Sequence, residues 1–504
     1  MANLDVLGLE KSESIDRLKS VEIDDDALQK EIRDYWAARL GGAVSAEEIQ
    51  AFHGWLFDLT QQYGYLSYAE TAIKKSSDGS VLEVYIVRPH IRAVRVISLS
   101  TELQNKFASL ITQRLKNSIM MGRPLDTKAL DQRLDTACFD LPIELDATVR
   151  AAAKDEVDLI INISPSTVPK GKVLSALAQM NNFGLTAYGI PQVLGFVSIG
   201  GFQPKSTLSL IGQASKGISY GRIEYDFADA ASRGHWRVWS SGSKTQSILG
   251  GSTAIKGSSL EMGFGHRSQI TEGLRDYRFQ ESADFVVRKS QTYLSSTGDL
   301  MSELRDYQLR FRESMDNSQW NTAPASVDLT LTFGGYDQLA NQSIELLYAK
   351  LDVNLRQERA LDFERNWYFV LGLKAQVNSG RLDSHNQMAL GGVDGVRAYT
   401  SIDGMGDRGL VMNLELNRRL ANGMTVGAFY DAGSIRLLSA NPFTEYGGRY
   451  SLQALGLKWS GTYKHWVANA SLAKGVGGYK AWTDYNIESK PNNWRLYSSL
   501  TYRF

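Results

Sequence analysis

From about Leu174 to the C-terminus, apolar and polar residues alternate with a period of two. In Leu346–Arg356, Leu347, Ala349, Leu351, Val353 and Leu355 share one face, and Tyr348, Lys350, Asp352, Asn354 and Arg356 share the other. Val327, Leu329, Leu331 and Phe333 separate in the same way from Asp328, Thr330 and Thr332. Ile223, Tyr225 and Phe227 separate from Arg222, Glu224 and Asp226, and Leu410, Met412, Leu414 and Leu416 from Asn413, Glu415 and Asn417. The last segment sets Trp494, Leu496, Leu500, Tyr502 and Phe504 against Arg495, Tyr497, Thr501 and Arg503. Successive side chains of a strand point to opposite faces, so the pattern predicts strand after strand with one apolar and one polar face.

Upstream of Pro165–Lys172 the period changes. Leu28, Ile32, Trp36 and Leu40 lie four apart and predict a helix. A second helix opens on Ser45-Ala46-Glu47-Glu48, a capping box, and closes at Gly64. Strands are expected around Leu18–Ile23, in YLSYAETAIKK and, after the turn Asp78-Gly79, in SVLEVYIVRPHI. The order then repeats: a strand at Arg92–Leu99, the helix LQNKFASLITQRLKNSI, a helix capped by Asp126, and the strands IELDATVRAAA and VDLIINISP. Two copies of β-α-α-β-β form an internal repeat of small two-layer modules. The expected organisation is an extension at 1–13, a first module at 14–92, a second at 93–164 and an all-β region at 165–504.

A soluble sandwich would also alternate, with its apolar face inward. Three features favour a membrane barrel: the strand pattern continues without another kind of element, several segments are long enough to cross a bilayer when tilted, and aromatics sit near segment ends. Those aromatics are Trp236, Trp239, Tyr348, Tyr368, Trp459, Trp466, Trp494 and Tyr502. Lipid also demands closure, because an open edge leaves backbone groups unpaired in hydrocarbon. At about 20 residues per strand and connection, the region predicts roughly 16 antiparallel strands.

Lysine plus arginine and aspartate plus glutamate number 55 each, so nothing in the charge balance points to nucleic acid. Cys138 is the only cysteine and reads as a small hydrophobe on an apolar helix face. No apolar run has the length of a membrane helix. The start, MANLDVLGLEKSESIDRLKS, lacks a secretory leader, which is read as a mature or trimmed chain. The six histidines show no pair at metal-ligand spacing, no Ser/His/Asp set is apparent, and no cofactor is expected.

Gly391–Leu410, GGVDGVRAYTSIDGMGDRGL, stands out. Its G-x-G-x-x-G, Gly404–Gly409, leads into a strand and not a helix, so it is no dinucleotide fingerprint. The residues alone leave Arg397 two readings: a solvated loop charge, or a cation with a partner on the polar face of the strands.

Taken together, the chain resembles the TpsB transporters of two-partner secretion, the haemolysin secretion/activation proteins, in the superfamily that includes the BAM-type insertases. The two repeats look like the family's POTRA domains, and NNFGLTAYGIPQVLGFVSIGGF resembles the opening of its barrel. GGVDGVRAY resembles the glycine pair and VRGY/F motif of its sixth extracellular loop, and GAFYDAG its F-x-D-x-G strand motif. The terminal Phe504 resembles its outer-membrane assembly signal. The resemblance implies an inward-folded loop at about 384–409, with the motif Val396, Arg397, Ala398 and Tyr399 meeting a barrel wall that bears Gly427, Phe429, Asp431 and Gly433. Thr425, Gly427, Phe429 and Asp431 share one strand face, so Asp431 is expected in the lumen, with Phe429 under the guanidinium and Gly427 leaving room for the loop. Gly391, Gly392, Gly395, Gly404 and Gly406 are expected to let the loop bend. Two departures are visible: Ala398 replaces the motif glycine, a strained choice if that backbone needs positive φ, and no plug helix precedes the first module.

The resemblance further implies a non-enzymatic, monomeric protein of a Gram-negative outer membrane, its modules in the periplasm. Its partners would be outer-membrane lipid, the barrel assembly machinery during biogenesis, and an unfolded secreted exoprotein captured by strand addition and passed through the lumen. The alternative within the superfamily is an insertase that assembles other outer-membrane proteins.

Overall fold

The structure is a computed structural model that describes residues 14–504, apart from 27, 63, 65, 117–118, 120–121, 123, 154, 167–172, 201, 230, 232, 249–253, 271–276, 318–323, 339–346, 363–365, 422, 439–447, 478–488 and 490–492. The 1–13 extension lies outside the described residues. The chain divides into two compact units after Ser166.

The first unit holds both repeats. The first runs β1 (Leu18–Ile23), α1 (Gln29–Trp36), α2 (Ala46–Gln62), β2 (Tyr68–Ser76) and β3 (Gly79–Val87). The second runs β4 (His90–Ser98), α3 (Thr101–Leu115), α4 (Thr127–Ala137), β5 (Ile143–Ala153) and β6 (Glu156–Pro165). Each makes a three-stranded sheet with its last strand in the centre, in the orders β1-β3-β2 and β4-β6-β5. In both, the first strand lies parallel and the other antiparallel to that centre.

Local chemistry sets the helix ends. Ser45 and Glu48 close the capping box, with Ser45 N donating to Glu48 Oε2 at 2.9 Å and Glu48 N to Ser45 Oγ at 3.2 Å. Asp126 caps α4 by accepting from Ala129 N at 3.0 Å. Gly64 follows α2 with φ +85°, as a left-handed C-cap requires. The apolar helix faces lie on the sheets: Trp36, Phe52, Leu56 and Leu82 are fully buried in the first core, and Ile111, Leu141 and Ile143 in the second. Cys138 is buried in that second core. The boundary drawn between residues 92 and 93 lies within β4, where the ladder to β6 shifts register and Arg92 turns out to pair with Asp158.

The second unit is a closed antiparallel barrel of 16 strands. They are β7 (Val173–Asn181), β8 (Gln192–Gly200), β9 (Thr207–Ala214), β10 (Ile218–Asp229), β11 (Gly234–Gln246), β12 (Ile255–Ile270), β13 (Arg278–Leu294), β14 (Leu300–Asp316), β15 (Ala325–Gln338), β16 (Leu347–Ala360) and β17 (Trp367–Asn378), then β20 (Arg408–Arg419), β21 (Thr425–Arg436), β22 (Arg449–Tyr463), β23 (Trp466–Val476) and β24 (Trp494–Arg503). Between β17 and β20, β18 (Met388–Ala389) and β19 (Met405–Gly406) form a short ribbon. β24 closes on β7 through five residue pairs, and Asn182 extends the seam by donating to Leu496 O and accepting from Ser498 N, each at 2.8 Å.

The alternation resolves as outside and inside. Leu329, Leu331, Phe333, Leu410, Leu416, Leu457 and Leu500 are exposed on the outer face, whereas Thr332, Glu415, Asn417 and Asp431 are buried on the inner one. A sandwich would bury the first set and expose the second, so the barrel surface is the lipid-facing one. Trp459, Trp466 and Trp494 stand outward and exposed. Three of the aromatics expected in the girdles do not belong there: Trp239 and Tyr348 are buried inside the barrel, and Tyr368 shares the inner face of β17 with Val370. Nearness to a strand end does not fix the facing; parity does. Trp239 lies 5.1 and 5.3 Å from the Arg222 and Arg237 guanidinium carbons, a wet-side role for an indole.

Candidate functional site

The connection between β17 and β20 folds into the barrel as a compact unit. Asp407 ties its base: Oδ1 accepts from Leu382 N and Oδ2 from Leu438 N, both at 2.8 Å. Within it, Leu390 N donates to Gly404 O at 2.8 Å and Val396 N to Leu390 O at 2.9 Å. Gly392 and Gly404 hold φ of +107° and +94°, which other residues rarely adopt. Gly391 and Gly395 serve close approach, since a Cβ on either would run into the carbonyl of Thr400 or of Leu390. These glycines permit a tightly packed turn.

The tip of the loop presents Arg397 to the inner wall of β20–β22. Asp431 on β21 takes the guanidinium bidentately, from Nε at 2.8 Å and Nη2 at 2.7 Å, and also accepts from the Arg397 backbone N at 3.1 Å. Nη1 donates to Glu415 of β20 at 2.7 Å. The guanidinium carbon lies 3.5 Å from the centre of the Phe429 ring, which closes one side of the fork. Lys458 on β22 donates to the other Glu415 oxygen at 2.5 Å, and Asn413 bridges Asp431 and Gly395 O at 2.7 and 2.9 Å. Two cations therefore face two carboxylates with every charge hydrogen-bonded, the condition under which such a cluster persists out of water.

Val396, Ala398 and Tyr399 are buried around the arginine with Leu390, Phe429, Ile435 and Tyr450. Tyr399 O accepts from Tyr497 OH of β24 at 2.7 Å. Ala398 has no positive φ, so alanine carries no strain there. Gly427 does not make room for the loop: the space above it is filled by Asn417 of the neighbouring strand. The loop comes close at Gly433 instead, where Leu390 occupies the place of a side chain. Phe504 lies at the seam, its backbone N donating to Ala176 O at 3.0 Å and its ring 4.8 Å from that of Tyr502.

Sequence reasoning missed Glu415, Lys458 and Asn413; only their inward parity on strands beside β21 could have marked them. It also missed a second loop contact, farther round the wall on β13–β16. Asn386 Nδ2 donates to Asp306 of β14 at 2.9 Å and to Asp383 at 2.6 Å, and Asn386 Oδ1 accepts from Gln308 at 3.1 Å. Tyr336 and Tyr348 stack at 4.8 Å and donate to Asp383 and Asp306, each at 3.0 Å, while Arg288 donates to Asp306 at 2.5 Å. The loop thus spans the interior from β13–β16 to β20–β24. Beside it remains a cavity of about 600 Å³, lined by Arg312, Asp328, Asp352, Lys374 and Asp394 among others. Among the described residues, no group of three or more histidine, cysteine or carboxylate side chains is arranged to hold a metal ion.

Residues 306–461 match the family model for haemolysin secretion/activation protein ShlB/FhaC/HecB. No curated protein matches the sequence. Among solved structures, the fold is similar to CdiB from Escherichia coli, at TM-score 0.59 and 15% identity, covering 99% of this chain and 92% of that one. CdiB from Acinetobacter baumannii aligns at TM-score 0.55 and 13% identity, covering 100% and 92%. BamA from Haemophilus ducreyi lacking POTRA domains 1–3 aligns at TM-score 0.50 and 13% identity, covering 97% and 100%. At such identities the likeness is one of fold. The matched segment runs from within β14 to within β22 and contains Arg397, Glu415, Asp431 and Lys458, together with Asp306, Tyr336 and Tyr348 of the second contact. By this match, the part of the barrel that carries the clasp is similar to the haemolysin secretion/activation protein family ShlB/FhaC/HecB.

Proposed function

We propose that the protein exports an unfolded polypeptide across the outer membrane. The two β-α-α-β-β modules, POTRA domains in this reading, receive the polypeptide on the periplasmic side. Backbone pairing suits this role, because β2 and β5 are edge strands and an added strand needs no side-chain code. The polypeptide then threads the polar lumen in extended form and folds outside. No bond is made or broken, and no cofactor enters.

The observation that carries this reading is the clasp. A loop held across a wet lumen by a buried, fully paired arginine is a gate that has a defined closed position, which a passive pore does not need. The Arg397 cluster sets that position, and passage requires the loop to yield. The family match at residues 306–461 supports secretion over insertase work.

The test is secretion by Arg397→Ala. The variant removes the cationic partner of Asp431 and leaves Lys458 as the one cation on Glu415; breaking a buried pair in this way costs about 3–5 kcal/mol. Secretion should fall at least ten-fold while the protein still inserts as a heat-modifiable barrel. Undiminished export by the inserted variant would contradict the proposal.

A further inference from the structure

The outer rim of the same three strands carries an unusual row. Arg408 of β20, Arg436 of β21 and Arg449 of β22 stand directly opposite one another across the sheet. Parity places all three on the lipid side: Leu410, Val426 and Leu455 share their respective faces and are exposed. Like charges set directly opposite in a ladder repel, so a row of three calls for a compensating anion. Among the described residues none is supplied, since no ion pair reaches any of them. Arg408 donates to Asn378 O at 2.6 and 3.1 Å, Arg449 to Ser434 Oγ at 3.4 Å, and the exposed Arg436 side chain has no partner among the described residues.

The contrast lies on the same rim. Lys289 and Arg305 also face outward, but Glu303 stands 3.1 Å from Lys289 and 3.7 Å from Arg305, and Asp337 stands 4.0 Å from Arg305. That patch neutralises itself; among the described residues, no acid does so for the arginine row.

Position narrows the anion. The row lies at the barrel end to which the inward-folded loop returns, one ladder step above Leu410, Ser434 and Ser451. Below come the apolar Met412, Leu414, Leu455 and Leu457, and at the far end Arg418, Val426 and Trp459 share one level. About ten residues of strand tilted by roughly 40° span about 25 Å, the height of the apolar band. The guanidinium groups therefore stand at headgroup level, with apolar wall beneath for acyl chains. Ser434 and Ser451, 3.0 Å apart, add hydroxyls just below them. Planar guanidinium forks match phosphate oxygens bidentately.

We propose that Arg408, Arg436 and Arg449 bind the phosphates of lipid A, the phosphorylated glycolipid of the outer leaflet. This rests on reading the barrel as an outer-membrane protein with this rim outermost. The site lies on the outer face of the strands whose inner face carries Asp431, Glu415 and Lys458.

The test is native mass spectrometry of the full chain released from phosphatidylethanolamine nanodiscs doped with lipid A, its dephosphorylated form, or phosphatidylglycerol. The wild-type protein should retain lipid A at least ten-fold above either of the others. The variant Arg408→Gln/Arg436→Gln/Arg449→Gln should lose that excess. Arg436→Gln alone, which breaks no side-chain hydrogen bond or ion pair among the described residues, should lower retention at least three-fold and keeps the test available if the triple variant does not fold. Equal retention of lipid A by wild type and Arg436→Gln, or equal retention of phosphatidylglycerol and lipid A by wild type, would overturn the proposal. Retention needs no cargo, so a protein that binds lipid A but secretes nothing contradicts the export reading and leaves this one standing.

Discussion

Arg397 shows how much one side chain can be asked to hold. Its fork satisfies two carboxylates on adjacent strands, its backbone N binds one of them again, and its flat side rests on Phe429. Lysine keeps the charge but offers no fork and no flat face. Arg397→Lys is therefore expected to retain only a minor part of export, and Asp431→Asn, which keeps the size but loses the charge, should behave like it; the check is secreted product per inserted barrel. Full export by either would mean that the bidentate geometry is idle. Part of this was legible, although the residues alone left Arg397 two readings and only the family resemblance set it against Asp431. Phe429 and Asp431 share a strand face by period two, and Arg397 stands in a glycine-rich stretch between strands. Glu415 and Lys458 were not legible, because a lumen-facing acid or lysine on a neighbouring strand looks like any other until the register sets it opposite Phe429 or beside Gly427.

Among the elements, the loop behaves as a bridge with two ends. One end is the Arg397 cluster, the other the Asp383–Asn386 turn docked on Asp306, Tyr336 and Tyr348. If both ends hold the loop, Asn386→Leu should free the near end and raise single-channel conductance in planar bilayers. Combined with Arg397→Ala it should raise conductance beyond either change alone, since the two contacts share no residue. Gly433→Val is expected to act from the wall side, because its side chain would claim the space of Leu390; the same conductance measurement reads it. The sequence hid the second end for a physical reason. Tyr336 and Tyr348 are aromatic and near strand ends, which is also what an interfacial girdle looks like, and only their parity assigns them to the interior. The glycines read as places where the loop can bend; their positions add that Gly392 and Gly404 take positive φ and that Gly391 and Gly395 lie against backbone carbonyls.

At the scale of the whole molecule, the change of period near residue 165 separates two kinds of folding problem. The modules bury helix faces on small sheets and are stable through cores such as Trp36–Phe52–Leu56. The barrel is ordered differently: most of its apolar strand residues face lipid, and its interior is held by closed hydrogen bonding and by the loop, whose Leu390, Val396 and Tyr399 pack against Val411, Ile435 and Leu452 of the wall. That division was visible in the sequence because 3.6-residue and two-residue periods cannot be confused over long stretches, and strand number followed from length. Removal of residues 14–164 should accordingly leave a barrel that inserts and conducts ions but no longer exports, measured as conductance and secretion side by side. Export by the truncated protein would contradict a receiving role for the modules.

The most direct test of the account is the accessibility of the loop tip. Val396 is fully buried beside Arg397, so a cysteine introduced by Val396→Cys, with Cys138→Ala to remove the native thiol, reports whether the clasp is shut. In membranes, a water-soluble maleimide should leave that cysteine largely unlabelled, and adding Arg397→Ala should speed labelling at least ten-fold. Prompt labelling with Arg397 intact, or the same slow labelling without it, would show that the arginine does not hold the loop inside the barrel.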